Sequence, residues 1–124
     1  KLNMNKKIVI VEDSKSYLLI ISQKLTEEGF DVVTAENGEE GLVAVKNEKP
    51  DLILLDIDMP VMDGITMSKE LKKTGNEAPI IFLTNMGDLK HISDATETAT
   101  DYIIKSDLNT EGIVVRVKEM LGIK

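Results

Sequence analysis

Residues 51–64 read DLILLDIDMPVMDG, and the other segments take their places around them. Asp51 leads into four apolar residues, Leu52, Ile53, Leu54 and Leu55. Asp56 closes the run, and Asp58, Pro60, Asp63 and Gly64 then supply turn chemistry. A short unbroken apolar run between polar and turn residues predicts a strand buried on both faces. Asp56 would stand at the carboxyl end of that strand, on the rim where open α/β sheets bind ligands.

Upstream, Lys7–Val11 (KIVIV) has the same character and runs into two consecutive acids, Glu12 and Asp13. Ser14 is placed to cap a helix, and Tyr17, Leu18, Ile21 and Leu25 recur at helical spacing up to a stop at Gly29. Asp31–Ala35 reads as a second strand. Asn37 can cap a second helix to about Glu48, with a thin apolar face of Leu42, Ala44 and Val45. Gly38 and Gly41 weaken it, each by up to ~1 kcal/mol relative to alanine.

Downstream of Gly64, the residues Ile65, Met67, Ser68 and Leu71 predict a third helix that closes near Thr74 and Gly75. Pro79–Leu83 (PIIFL) is a fourth buried strand ending at Thr84 and Asn85. Leu89, Ile92, Ala95 and Ala99 give a fourth helix, poor in propensity because Thr96, Thr98 and Thr100 crowd its last turns. Tyr102–Ile104 is a fifth strand ending at Lys105. Asn109 can cap a last helix with Ile113, Val114, Val117, Met120 and Leu121 inward. Strand followed by helix, five times, means an α/β fold: a parallel sheet covered by helices on both faces.

The chain of 124 residues suits one domain. Met4 reads as a natural start, with Lys1–Asn3 a remnant ahead of it, so the expected domain runs over residues 4–124. Apolar residues at 42% and charged residues at 30% fit a globular protein rather than a disordered one. The absence of cysteine excludes disulfides, a thiol nucleophile and a cysteine zinc site. No apolar run approaches the ~20 residues that span a bilayer, and no signal peptide precedes the first strand, so a cytoplasmic location without membrane contact is expected. The net charge of −7 and a single arginine, Arg116, argue against direct nucleic-acid binding. The six methionines read as core filling, and His91, the only imidazole, as a solvent-facing side chain.

In a parallel sheet the five strand ends share one rim, which here would carry Glu12, Asp13, Asp56, Thr84 and Lys105. Two carboxylates ~4 Å apart repel by ~1 kcal/mol in water and ~4 kcal/mol at an effective dielectric of ~20. Three acids beside one ammonium call for a divalent cation. All donors are oxygens, so Mg²⁺ is expected first, with Mn²⁺ or Ca²⁺ as alternatives. Lys105 and the Thr84 hydroxyl suit phosphoryl oxygens, and an aspartate can accept a phosphoryl group as an acyl phosphate.

Taken together, Glu12–Asp13, Asp56 with the DMPVMDG run, Thr84, Tyr102 and Lys105 resemble the receiver domain of two-component response regulators, over about Lys6 to Leu121. The resemblance implies a five-stranded doubly wound, flavodoxin-like sheet of order 2-1-3-4-5. It implies phosphorylation of Asp56 by a histidine kinase or a phosphotransfer protein. It also implies Mg²⁺ on Asp13, Asp56 and the backbone carbonyl of Asp58, with Glu12 acting through water. Thr84 and Lys105 would hold the phosphoryl oxygens, and Asn85 could add a hydrogen bond to them. Thr84 and Tyr102 would move together and remodel the face of the fourth helix, fifth strand and last helix. That face would serve an output protein, an effector domain elsewhere in the full protein, or a second copy of the chain. The protein is then a regulatory phosphoacceptor and not an enzyme, beyond acting on its own phosphoryl group.

The chain departs from the family at a few positions. Ser106 replaces the proline that often follows the lysine. A cis bond there would cost ~2.5–4 kcal/mol, against ~0.5–1 before proline, which favours trans. Thr98 stands where glycine often ends the fourth helix, Asn85 where alanine is commoner, and Asp58 puts an acid two residues beyond the acceptor. Three rivals remain in view. Asp56-Ile57-Asp58 resembles the DxD motif of haloacid-dehalogenase-type phosphatases, although that motif belongs on an early strand. A flavin module would need a phosphate loop where Glu12–Asp13 stands. A phosphorylation-independent receiver-like domain would lack part of the acid, threonine and lysine set.

Overall fold

The computed structural model describes residues 6–85, 101–106 and 109–123. In chain order the elements are β1 (Lys7–Val11), α1 (Lys15–Glu27), β2 (Asp31–Ala35), α2 (Gly38–Glu48), β3 (Leu52–Asp56), α3 (Gly64–Lys73), β4 (Ile80–Thr84), β5 (Asp101–Ile104) and α4 (Thr110–Leu121). The helix expected over Leu89–Ala99, with His91, Thr96, Thr98 and Thr100, lies outside the described residues.

All strand pairs are parallel, in the order β2-β1-β3-β4-β5. The sheet is five-stranded, doubly wound and flavodoxin-like, as the family resemblance implied. Winding reverses between β1 and β3, which opens a crevice beyond their carboxyl ends. The main-chain ladder continues onto the rim. Glu12 N–H donates to Ala35 O at 3.0 Å, Ile57 N–H to Leu83 O at 3.2 Å, and Lys105 N–H to Thr84 O at 2.8 Å.

Side chains alternate across a strand, so each buried strand feeds two cores. Ile8, Ile10, Leu52, Leu54, Ile81, Leu83 and Ile103 pack with α1 and α4. Val9, Val11, Ile53, Leu55, Ile80 and Phe82 pack with α2 and α3. The same alternation carries Glu12, Asp56 and Lys105, the next residues of one parity, to the α1/α4 side of the rim.

Side-chain caps start the helices where the sequence predicts. Ser14, Asn37 and Asn109 accept hydrogen bonds from Tyr17, Glu40 and Gly112 N–H, and Asp63 does the same for α3 through Thr66. Each such cap contributes about 1 kcal/mol. Strand limits shift by a residue: β4 runs through Thr84 and β5 begins at Asp101. Among the methionines, Met59 and Met67 are buried in the core.

Candidate functional site

The rim residues meet because their backbones are fixed by the sheet ladder and the α1 cap. Glu12 is fully buried and Asp56 is 3% exposed, whereas Asp13 is exposed. Glu12 Oε2 accepts the Ser14 N–H at 3.0 Å, which ties the acid pair to the start of α1. Carboxylate oxygens of Glu12, Asp13 and Asp56 lie within 4.8 Å of one another. The Lys105 ammonium stands among them, 2.6 Å from Glu12 Oε1 and 3.3 Å from Asp56 Oδ1.

Electrostatics follow from this crowding. Burial, then the hydrogen bond and charge of Glu12, push the Asp56 carboxyl from its ordinary 3.8 up to about 8, against the pull of Lys105. Burial alone would lower the Lys105 ammonium, but the Glu12 and Asp56 carboxylates outweigh it and hold it above its ordinary value. Three oxygen acids of high mutual repulsion, with one cation beside them, form a donor set that fits a hard divalent ion.

The other expected residues differ in exposure. Thr84 is buried at the end of β4, and its hydroxyl donates to Asn85 O at 3.0 Å. Asn85 and Asp58 are exposed. Tyr102 is 42% exposed, and its carbonyl accepts from Arg116 Nη2 at 3.1 Å. Arg116 also pairs with Asp101, clamping α4 to β5. The Lys105–Ser106 peptide is trans.

Two features escaped the sequence reading. Tyr17 reads there as one more apolar position, yet its ring lies under the Lys105 ammonium, 4.7 Å from centroid to Nζ. Burial raises the Tyr17 phenol, partly offset by Lys105. Its position one turn into a helix that opens on two acids was the available signal. The second is Val61, which is 72% exposed at φ 70°, with Met62 N–H donating to Pro60 O at 2.7 Å. That is a three-residue turn with positive φ, a strained form, and a β-branched residue there is a genuine outlier.

Comparison with known proteins points one way. Residues 8–118 match the model of the response regulator receiver domain. The chemotaxis protein CheY of Bacillus subtilis is 40% identical over 104 residues, covering 82% of this chain and 87% of that protein. A probable transcriptional regulator, ycf27, of Porphyra purpurea is 36% identical over 120 residues, covering 96% of this chain and 49% of that protein. The chain thus spans about half the length of the curated relatives of that kind. A response regulator of Thermotoga maritima, solved in complex with Mg²⁺–BeF, superimposes with a TM-score of 0.83 at 34% identity, covering 94% of this chain and 99% of that one.

Proposed function

The chain belongs to the response regulator receiver domain family of two-component systems, and on that footing we propose that it is a phosphorylation switch whose acceptor is Asp56. The receiver unit is taken as residues 4–124. The donor is a phosphohistidine on a histidine kinase or a phosphotransfer protein in the cytoplasm. An Asp56 oxygen attacks the phosphorus, and the P–N bond breaks with its electron pair left on the imidazole, which carries or takes up a proton. An acyl phosphate on Asp56 results.

The observation that carries this reading is the Lys105 ammonium held 2.6 Å from Glu12 and 3.3 Å from Asp56 beside three converging carboxylates. Phosphoryl transfer asks a protein mainly for position and charge neutralisation. Asp13, Asp56 and the Asp58 carbonyl would hold Mg²⁺, with Glu12 acting through water and Mn²⁺ or Ca²⁺ as substitutes, and the ion supplies positive charge against the phosphoryl oxygens. In this reading Lys105 and the Thr84 hydroxyl hold two of those oxygens, and Asn85 adds a third contact. Thr84 must leave its bond to Asn85 O to do so, which couples the acceptor to the end of β4. The output surface in this reading is the face of the helix expected over residues 89–99, β5 and α4; the exposure of Tyr102 and Val115, 42% and 53%, supports it. An output protein, a further domain or a second copy of the chain binds there. The receiver unit acts as a regulator and not as an enzyme on other substrates, and it does not itself contact nucleic acid or membrane.

Incubation with Mg²⁺ and phosphoramidate tests the reading. One phosphoryl group per chain is expected, blocked by chelator and by Asp56→Asn. Sustained turnover of a phosphomonoester would instead favour the phosphatase rival.

A further inference from the structure

Building on the acceptor role of Asp56, we propose that Tyr17 is a positioning residue for phosphoryl transfer, its ring serving as the platform that holds the Lys105 ammonium over Asp56. Lys105 reaches the site on a flexible four-carbon stem. Its backbone is fixed by the N–H bond to Thr84 O at 2.8 Å. Among the described residues its ammonium lies beside Glu12 Oε1 at 2.6 Å, Asp56 Oδ1 at 3.3 Å and the Tyr17 ring at 4.7 Å from the centroid. Both carboxylate contacts must be redistributed when Asp56 becomes an acyl phosphate and its new oxygens compete for the ammonium. The ring contact is uncharged and does not depend on the charge carried by Asp56. An ammonium within ~6 Å of a ring centroid is attracted by the negative face of the π system.

The ring itself is held firmly. Leu18 and Ile21 of the same helix are buried in the core, and the Ser14 cap fixes the first turn through Tyr17 N–H. The Tyr17 hydroxyl is buried and has no hydrogen-bond partner among the described residues. Among the described residues the phenol oxygen anchors nothing, and the face of the ring is the part that meets the ammonium.

The test compares the rate of phosphoramidate labelling at Asp56, with Mg²⁺ present, in the whole chain and its variants. Tyr17→Phe keeps the ring and should stay within about twofold of the parent, whereas Tyr17→Leu should slow labelling about tenfold. In a Lys105→Met background, Tyr17→Leu should add less than about twofold, because coupled residues do not act additively. A graded fluorination series on Phe at position 17 keeps the shape while draining the π face, and should slow labelling step by step. Tyr17→Leu labelling at the parental rate, equal slowing with and without Lys105, or no trend on fluorination each overturn the platform. An unlabelled parent protein overturns the acceptor role of Asp56 instead, and this inference with it.

Discussion

At Asp56 burial and neighbouring negative charge act in the same direction. The carboxyl is raised from 3.8 to about 8, so the metal-free folded state binds a proton that the unfolded chain has already released. Its stabilising effect is complete below the unfolded value and is lost as pH rises through about 8. Asp56→Asn removes that dependence. In chelator at about pH 9 the variant should exceed the parent by on the order of 1–3 kcal/mol in urea melts, and the gap should close toward about pH 4. A gap that does not change with pH would contradict the assignment. Tyr17→Phe deletes a buried, unpartnered hydroxyl and should leave stability unchanged or raise it by up to ~1 kcal/mol, read by thermal denaturation. The acids and Lys105 were legible in the sequence because each ends an apolar run. Tyr17 was not, because an aromatic at helical spacing looks the same whether it packs a core or supports a cation.

Among the elements, the loop from β3 to α3 carries the strain. Val61 holds a positive φ of 70° while exposing its side chain. Val61→Gly should relieve this and raise the unfolding free energy by about 0.5–1 kcal/mol after its own entropy cost, with Val61→Ala gaining less. Gly64 closes the same loop, its N–H donating to Ile57 O at 2.8 Å. A Cβ on it would lie 2.1 Å from the Asp56 carbonyl oxygen. Gly64→Ala should therefore cost ~1–3 kcal/mol or more and displace the end of β3 at Asp56, seen as a lowered midpoint and, if Asp56 is the acceptor, as slowed labelling. The helix limits were readable from Ser14, Asn37 and Asn109. Gly41 was read only as a weak helix former. Its reason is contact: a Cβ there would meet Met67 Sδ at 2.8 Å and Val11 Cγ2 at 2.9 Å, so the glycine lets α2 approach β1 and α3.

For the whole molecule, the strand order could be inferred only through the family resemblance, since periodicity gives strands and helices but not which strands are neighbours. The order β2-β1-β3-β4-β5 puts the acid pair and Asp56 on adjacent central strands, with Lys105 reaching across from the edge. Ion pairs of Lys24 with Glu111 and of Lys118 with Glu28 join α1 to α4 on that side, so the helix bearing Tyr17 and the one following Lys105 are tied together. If the rim holds Mg²⁺, the ion should stabilise the fold by about 1.4 kcal/mol at roughly ten times its Kd, and Asp13→Asn should abolish most of that gain. The most direct measurement is chemical trapping of the acceptor. The protein is treated with phosphoramidate and Mg²⁺, reduced with borohydride, and mapped by peptide mass spectrometry. Conversion of Asp56 alone to homoserine is the predicted result; reduction at another carboxylate, or none at any, would contradict it.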